Sequence, residues 1–461
     1  MHQDNRGHYL QYANPQFRTS FLLCLLGFLL FSCTTQKNIG QSTPTGLPND
    51  PAVQTAHIGI CVFDPGENKF LYKYQSDKYF TPASNTKLFS LYAGLKYLGD
   101  SLTALRYIER DTDLIILPTG DPTLLHPDYP VQPVIDFLKK TRHAIYIADA
   151  NWQEEPWGAG WSWDDYNDDY MVERSSLPVY GNLIRWVQQS QKQSSQNSGF
   201  GATPSVFSLP ELNWKVKFAT DTGSKNFFVK RALGENIFEI TEGPESYKTQ
   251  DVPFVTHGLL SALELLRDTT GKNISITKGL FSGLPVLRTI HSQPVDSMYR
   301  PMMLRSDNFF AEQTLLMASN VRLGLMNDEK IIDTLLGSDL KGLPQRPRWV
   351  DGSGLSRFNL FTPEDMVWLL NQMKNEFGLE RMKRLLPTGG LGTLRSYYKQ
   401  DSGRIYAKTG SLSGVVALSG YLITDKKRLL IFSVLVNNSN GSSIDVRKAI
   451  EKFISGYLRQ Y

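Results

Sequence analysis

Residues 82–87 read Pro82-Ala83-Ser84-Asn85-Thr86-Lys87, and an apolar helical pattern starts immediately after them. Leu88, Leu91, Tyr92, Leu95 and Leu98 recur at helical spacing until Gly99-Asp100 ends the run. A serine and a lysine three positions apart at a helix start share one face. A serine hydroxyl is a useful nucleophile only when a neighbouring base takes its proton. Lysine can be that base only if its pKa is lowered, and the positive end of a helix disfavours a cation. Ser84 and Lys87 are therefore a candidate nucleophile and base. The same residues also read as a helix-capping serine followed by a solvated lysine.

Two further motifs, Ser306-Asp307-Asn308 and Lys408-Thr409-Gly410, follow in that order. Taken singly, the first is an ordinary helix start and the second a lysine and turn on a solvated strand. Jointly they supply what amide hydrolysis needs: a nucleophile, a proton acceptor that becomes a donor to the leaving amine, and donors for the oxyanion. Ser84 attacks and Lys87 accepts its proton, kept neutral by its place in the first helical turn and by a second cation, Lys408, nearby. Ser306 relays a proton to the leaving nitrogen, and the Asn308 amide can bond both Lys87 and substrate backbone. Gly410 admits a ligand close to the strand backbone, and Lys408, Thr409 and Ser411 can bind a terminal carboxylate. The backbone N–H groups of Ser84 and Ser411 are the expected oxyanion donors. No H-E-x-x-H pair, G-x-S-x-G elbow, P-loop or dinucleotide fingerprint occurs, so the chemistry is expected to use no metal and no cofactor.

At 461 residues, two or three domains are expected. A content of 41% hydrophobic and 20% charged residues describes a soluble globular body, and a net charge of +4 does not suggest nucleic acid. Arg18 precedes the apolar run 21–31, too short to span a bilayer and suited to a signal-peptide core. The run ends in Leu30-Phe31-Ser32-Cys33, which resembles the lipobox of bacterial lipoproteins. That resemblance implies a signal peptide over 1–32, a lipid on Cys33 as the membrane anchor, and a periplasmic body; residues 33–56 then read as a flexible tether. A simple cleaved signal or an uncleaved anchor fits the same flanks, and each exports the body. Cys24 falls in the signal core and Cys61 in a strand-like run, so no internal disulfide is expected in the mature chain.

Residues 57–74 read as a β-hairpin about the turn 64–68. From Arg110 to about Val255 short strands alternate with turn clusters such as Gly120-Asp121-Pro122, and 188–198 reads as an exposed loop. This region lies between the first two motifs, so 111–255 is expected to be an accessory insertion in a catalytic domain made of 57–110 and 256–461. An amphipathic helix is expected over 309–323, a helix start at Thr362-Pro363, strands over 404–409, 415–422 and 429–437, and a closing helix over 444–458. The fold class is α/β (α+β), with one sheet shared by the two ends of the chain.

With these residues in hand, the chain resembles the class C low-molecular-mass penicillin-binding proteins, the exported D-alanyl-D-alanine carboxypeptidase/endopeptidases. Beyond the three motifs, Gly160-Trp161-Ser162-Trp163-Asp164-Asp165, Gly181-Asn182, Asp351-Gly352-Ser353-Gly354-Leu355-Ser356-Arg357, Gly392-Thr393-Leu394 and Ala407-Lys408-Thr409-Gly410-Ser411-Leu412-Ser413-Gly414-Val415 look like that family. Ser306 follows Ser84 by 222 positions, room for the insertion such members carry. The resemblance implies a penicillin-binding-protein/serine β-lactamase-like catalytic domain with an inserted accessory region. It implies peptidoglycan stem peptides as substrate and β-lactams as covalent inhibitors. No E-x-x-x-N pattern follows Ser306-Asp307-Asn308, so a deacylating glutamate of the β-lactamase kind is not expected. A β-lactamase or esterase on the same scaffold, and a non-catalytic lipoprotein that binds cell wall or β-lactams, are the alternative readings.

Overall fold

The computed structural model describes residues 46–190, 204–219, 226–277 and 287–461. The expected signal segment, Cys33 and the tether before residue 46 lie outside the described residues, as do 191–198 of the expected exposed loop. Strands are numbered β1–β16 in chain order.

The two ends of the chain do meet in one sheet. β1 (His57–Asp64) and β2 (Lys69–Tyr74) join β14 (Ile405–Leu412), β15 (Val415–Ile423) and β16 (Leu429–Asn437) in the antiparallel order β14-β15-β16-β1-β2. β1, β15 and β16 are buried almost throughout because both faces of the sheet are covered. Strand periodicity sorts β1 between two cores: Cys61 and Phe63 face one, Ile58, Ile60 and Val62 the other. The first core is helical, built on Lys87–Tyr97, Val295–Leu304, Asn308–Leu323, Asp328–Gly337, Pro363–Phe377 and Leu379–Leu385. The second packs the opposite face against the closing helix Ser443–Gln460. Pro363–Phe377 starts as expected, with Thr362 and Asp365 forming a reciprocal cap and Pro363 in first position. Cys61 is fully buried, and burial pushes its thiol pKa far up, as suits an inert hydrophobe.

Three features depart from the sequence reading. Residues 46–56 do not hang free: Leu47 and Val53 are buried in the second core, and the polar residues around them masked two apolar anchors. Gln188 lies in a strand and is fully buried, its amide donating to the carbonyls of Gly243 and Glu245. The helix Asn308–Leu323 is buried all round from Phe309 to Asn320 instead of amphipathic, because its polar residues have protein partners. The Gln313 amide, for example, donates to the carbonyls of Gly120 at 2.7 Å and Ser175 at 2.9 Å.

Between the two halves of the first sheet lies a region with its own core. Its main sheet runs β12-β5-β4-β3-β13, from β3 (Ser101–Glu109), β4 (Asp113–Pro118), β5 (Ala144–Ile147), β12 (Ile274–Ile276) and β13 (Arg288–Pro294). Two three-stranded sheets accompany it: β6 (Leu183–Ser190), β7 (Pro204–Leu209) and β11 (Tyr247–Pro253), then β8 (Lys215–Phe218), β9 (Phe228–Arg231) and β10 (Ile237–Thr241). Because β3 pairs with β13, this sheet reaches beyond 111–255 at both ends.

Candidate active site

Ser84 lies in a single 3-10 turn, Ala83–Thr86, that runs straight into the helix Lys87–Tyr97. Lys87 is not a solvated lysine: its side chain is fully buried. Its Nζ stands 2.9 Å from Ser84 Oγ, 2.6 Å from Asn308 Oδ1 and 2.7 Å from the Ser353 carbonyl oxygen. A neutral amine has two N–H donors and one lone pair. Donating to Asn308 and Ser353 therefore leaves the lone pair aimed at the Ser84 hydroxyl. Burial lowers the Lys87 pKa to about 8, against the opposing pull of Asp351, Glu312 and Asp307. Desolvation, not the helix start or the Lys408 charge invoked from sequence, is thus the main cause.

The S-D-N motif is both a helix start and part of the cleft. Asp307 is the N-cap, accepting from the Phe310 N–H at 3.0 Å. Ser306 takes a left-handed backbone, φ 63°, and its flanking Asn308 bridges Lys87 and the carbonyl of Tyr170, to which it donates at 2.9 Å. Lys408 arrives from β14, an edge strand as expected, and is fully buried. Its Nζ donates to Ser306 Oγ and to the Thr409 carbonyl, both at 2.8 Å. Burial and the neighbouring Lys87 pull its pKa well below the usual lysine value.

β14 is pressed onto the turn that carries Ser84. Asn85 Nδ2 donates to the Lys408 carbonyl at 3.1 Å, and a Cβ on Gly410 would come within 2.6 Å of the Pro82 carbonyl oxygen. On the other side, Gly354 has φ +85°, and a Cβ there would fall 2.0 Å from the Ala83 carbonyl oxygen. The loop after Asp351 therefore fits the Ser84 turn only with glycine at that position. Asp351 holds this loop, accepting from the N–H groups of Gly354 and Ser356, from Asn359 Nδ2 and from Trp161 Nε1. A cleft of about 690 Å³ opens over Ser84, Ser306, Thr409, Gly410 and Ser411. The structure thus brings together Ser84, Lys87, Ser306, Asn308, Lys408, Thr409, Gly410 and Ser411; Cys33 lies outside the described residues.

Sequence reading missed the charged residues behind the site. Glu312 Oε1 accepts from the Ser353 N–H at 2.7 Å, and Ser353 in turn holds Lys87. Arg174 is buried beside Glu312, with Nη1 2.6 Å from Asp328 and 3.7 Å from Glu312 and Nη2 3.1 Å from Glu154. The available signal for Glu312 was its place one helical turn after Asn308. Arg447, which donates to Ser411 Oγ at 2.6 Å, gave none. Gly120-Asp121-Pro122 and Gly181-Asn182 serve as joints, not as reacting groups: Gly120 bonds to Ser176 and Gln313, and the Asn182 amide to Glu173 and Ser175.

Comparison with known proteins agrees with this geometry. Residues 46–458 match the family described as D-Ala-D-Ala carboxypeptidase 3 (S13). The D-alanyl-D-alanine carboxypeptidase of Actinomadura sp. (strain R39) is 26% identical over 89% of this chain and 83% of its own. Penicillin binding protein 4 (dacB) from Haemophilus influenzae superposes with a TM-score of 0.67 at 20% identity, over 90% of this chain and 98% of that one. The same Haemophilus protein complexed with a β-lactam superposes at 0.62 and 18% identity, over 87% and 95%. The chain belongs to the D-Ala-D-Ala carboxypeptidase 3 (S13) family of serine peptidases, on the penicillin-binding-protein fold.

Proposed function

We propose that Ser84 is the nucleophile of a DD-peptidase that cleaves D-Ala-D-Ala termini or D-amino-acid cross-links in peptidoglycan stem peptides. The observation that carries this reading is the Lys87 amine held between Ser84 Oγ and Asn308 Oδ1 in a desolvated site. Neutral Lys87 takes the hydroxyl proton as Oγ attacks the carbonyl carbon, and the N–H groups of Ser84 and Ser411 receive the oxyanion. Ser306, bonded to Lys408, relays that same proton to the leaving amine, which restores its own hydroxyl and the neutral Lys87 before water attacks the acyl-enzyme. Thr409 and Ser411 meet the substrate carboxylate. The accessory region reaches the site through the Tyr170 carbonyl on Asn308, and its shape sets the balance between terminal and cross-link cleavage.

β-Lactams acylate the same serine, a reading supported by the β-lactam complex of the Haemophilus protein. The test is mass spectrometry of protein treated with penicillin, alongside assay of D-alanine released from peptidoglycan fragments. A long-lived adduct on the Ser84 peptide and D-alanine release that Ser84→Ala abolishes are expected. Rapid penicillin turnover indicates a β-lactamase, and an adduct without D-alanine release a non-catalytic binder. Equal release by wild type and Ser84→Ala removes Ser84 from the mechanism.

No helix among the described residues is long and apolar enough to cross a membrane. For attachment we propose a lipid on Cys33 at the periplasmic side of a bacterial membrane, from the Leu30-Phe31-Ser32-Cys33 pattern. Growth with a labelled fatty acid should tag the wild-type protein and not Cys33→Ser; label retained by Cys33→Ser would exclude the anchor.

A further inference from the structure

Past Ser84 the cleft continues between β14 and the start of the helix Ser443–Gln460, where Ser411, Ile444 and Arg447 line it. We propose that Arg447 is a specificity residue that, with Ser411, holds the carboxylate of the leaving D-amino acid. This rests on the DD-peptidase reading and adds to it the group that supplies the counter-charge.

A serine hydroxyl has one proton to give and two lone pairs. Arg447 Nη2 donates into one of those lone pairs at 2.6 Å, which leaves the Ser411 O–H free to point into the cleft. That bond is the one Arg447 makes among the described residues, and no described carboxylate lies within ion-pair distance of it. Most N–H donors of the guanidinium fork therefore remain available for a ligand, at a position already tied to the carboxylate-binding strand.

The other cations at the cleft are engaged elsewhere or not bonded to the carboxylate-binding strand. Arg305 pairs with Asp128 at 2.6 Å and with Asp307 at 3.7 Å. Arg395 also lines the cleft, after the turn Gly392–Leu394, and no hydrogen bond among the described residues ties it to Thr409 or Ser411 as one ties Arg447. Lys408, the cation that sequence alone assigns to the carboxylate, turns both of its bonds inward to Ser306 and the Thr409 carbonyl. Its burial beside Lys87 also favours the neutral amine. A carboxylate docked on Thr409 and Ser411 thus finds its permanent positive charge in Arg447, since a guanidinium does not deprotonate in proteins.

The test compares an N-acylated tripeptide ending in D-Ala-D-Ala with the same peptide as its C-terminal carboxamide. Binding is measured by calorimetry in the Ser84→Ala background, where nothing turns over, and KM and kcat in the active protein. Arg447→Gln is expected to weaken binding of the free acid by about 10- to 100-fold and to raise its KM, while the carboxamide binds as before. Arg447→Lys should recover part of the loss, keeping the charge but not the fork. Equal losses for acid and carboxamide, or no loss for either, overturn the proposal. Absence of Ser84-dependent turnover would instead sink the DD-peptidase reading, and the binding comparison would still decide the role of Arg447.

Discussion

Lys87→Met is expected to lower kcat/KM for D-alanine release, and the rate of β-lactam acylation, by about 10³- to 10⁴-fold. Methionine is unbranched and fills nearly the same space, so packing survives while the proton acceptor is lost. Two acceptors, Asn308 Oδ1 and the Ser353 carbonyl, lose a donor. The buried amine that had to be desolvated disappears with it, so the melting temperature should move far less than the rate. The wild-type protein carries the complementary prediction. A lysine acts as a base only when neutral, and burial sets its folded pKa to about 8, below the usual 10.5. The rate of acylation should therefore climb with pH through about 8 and level off above it. A profile flat across that value, or a Lys87→Met protein within about tenfold of wild type, would take the base away from Lys87.

Arg174→Met should produce the largest loss of stability, about 3–5 kcal/mol in denaturant unfolding, because it strips the cation from a buried ion cluster. Arg174 is 2% exposed and faces Asp328, Glu154 and Glu312, with further bonds to the carbonyls of Glu155 and Trp157. Even with the guanidinium present, burial raises Glu154 to about 7 and Glu312 to about 8. Carboxyls raised in the fold favour it while protonated and weaken it as pH rises through those values. Removing the arginine drives them higher still, so the gap between variant and wild type should widen as pH climbs through that range. Unfolding curves across pH check this; a gap under ~1 kcal/mol throughout would make the cluster dispensable. Activity should fall as well, since Glu312 fixes Ser353 and Ser353 fixes Lys87.

The proposed reacting groups were legible because their chemistry imposes a spacing on the chain. Ser84 and Lys87 are one turn apart, and Ser306 and Asn308 flank the residue that caps a helix. The shared sheet was legible too, since β1, β15 and β16 are continuous apolar runs at opposite ends of the sequence. What stayed hidden is whatever depends on a distant partner. Glu312 and Gln313 are polar residues of a helix expected to be amphipathic, but their partners, Ser353, Gly120 and Ser175, are contributed by remote loops. Arg447 sits in an ordinary charged helix turn, and nothing local says that β14 runs beside it. The edges of the accessory region were hidden for the same reason, because β3 and β13 carry no shift in composition and are joined only by pairing with each other.

The antiparallel sheet that takes β1 and β2 from the beginning of the chain and β14 to β16 from its end has a temporal meaning. A polypeptide still being synthesised already carries its serine and amine, yet owns neither the wall nor the lysine that must close over them. Such long-range pairing is slow to form. Until the last strands have emerged, Ser84 and Lys87 stand without Lys408 and without the edge of the sheet, a delay written into the order of the residues.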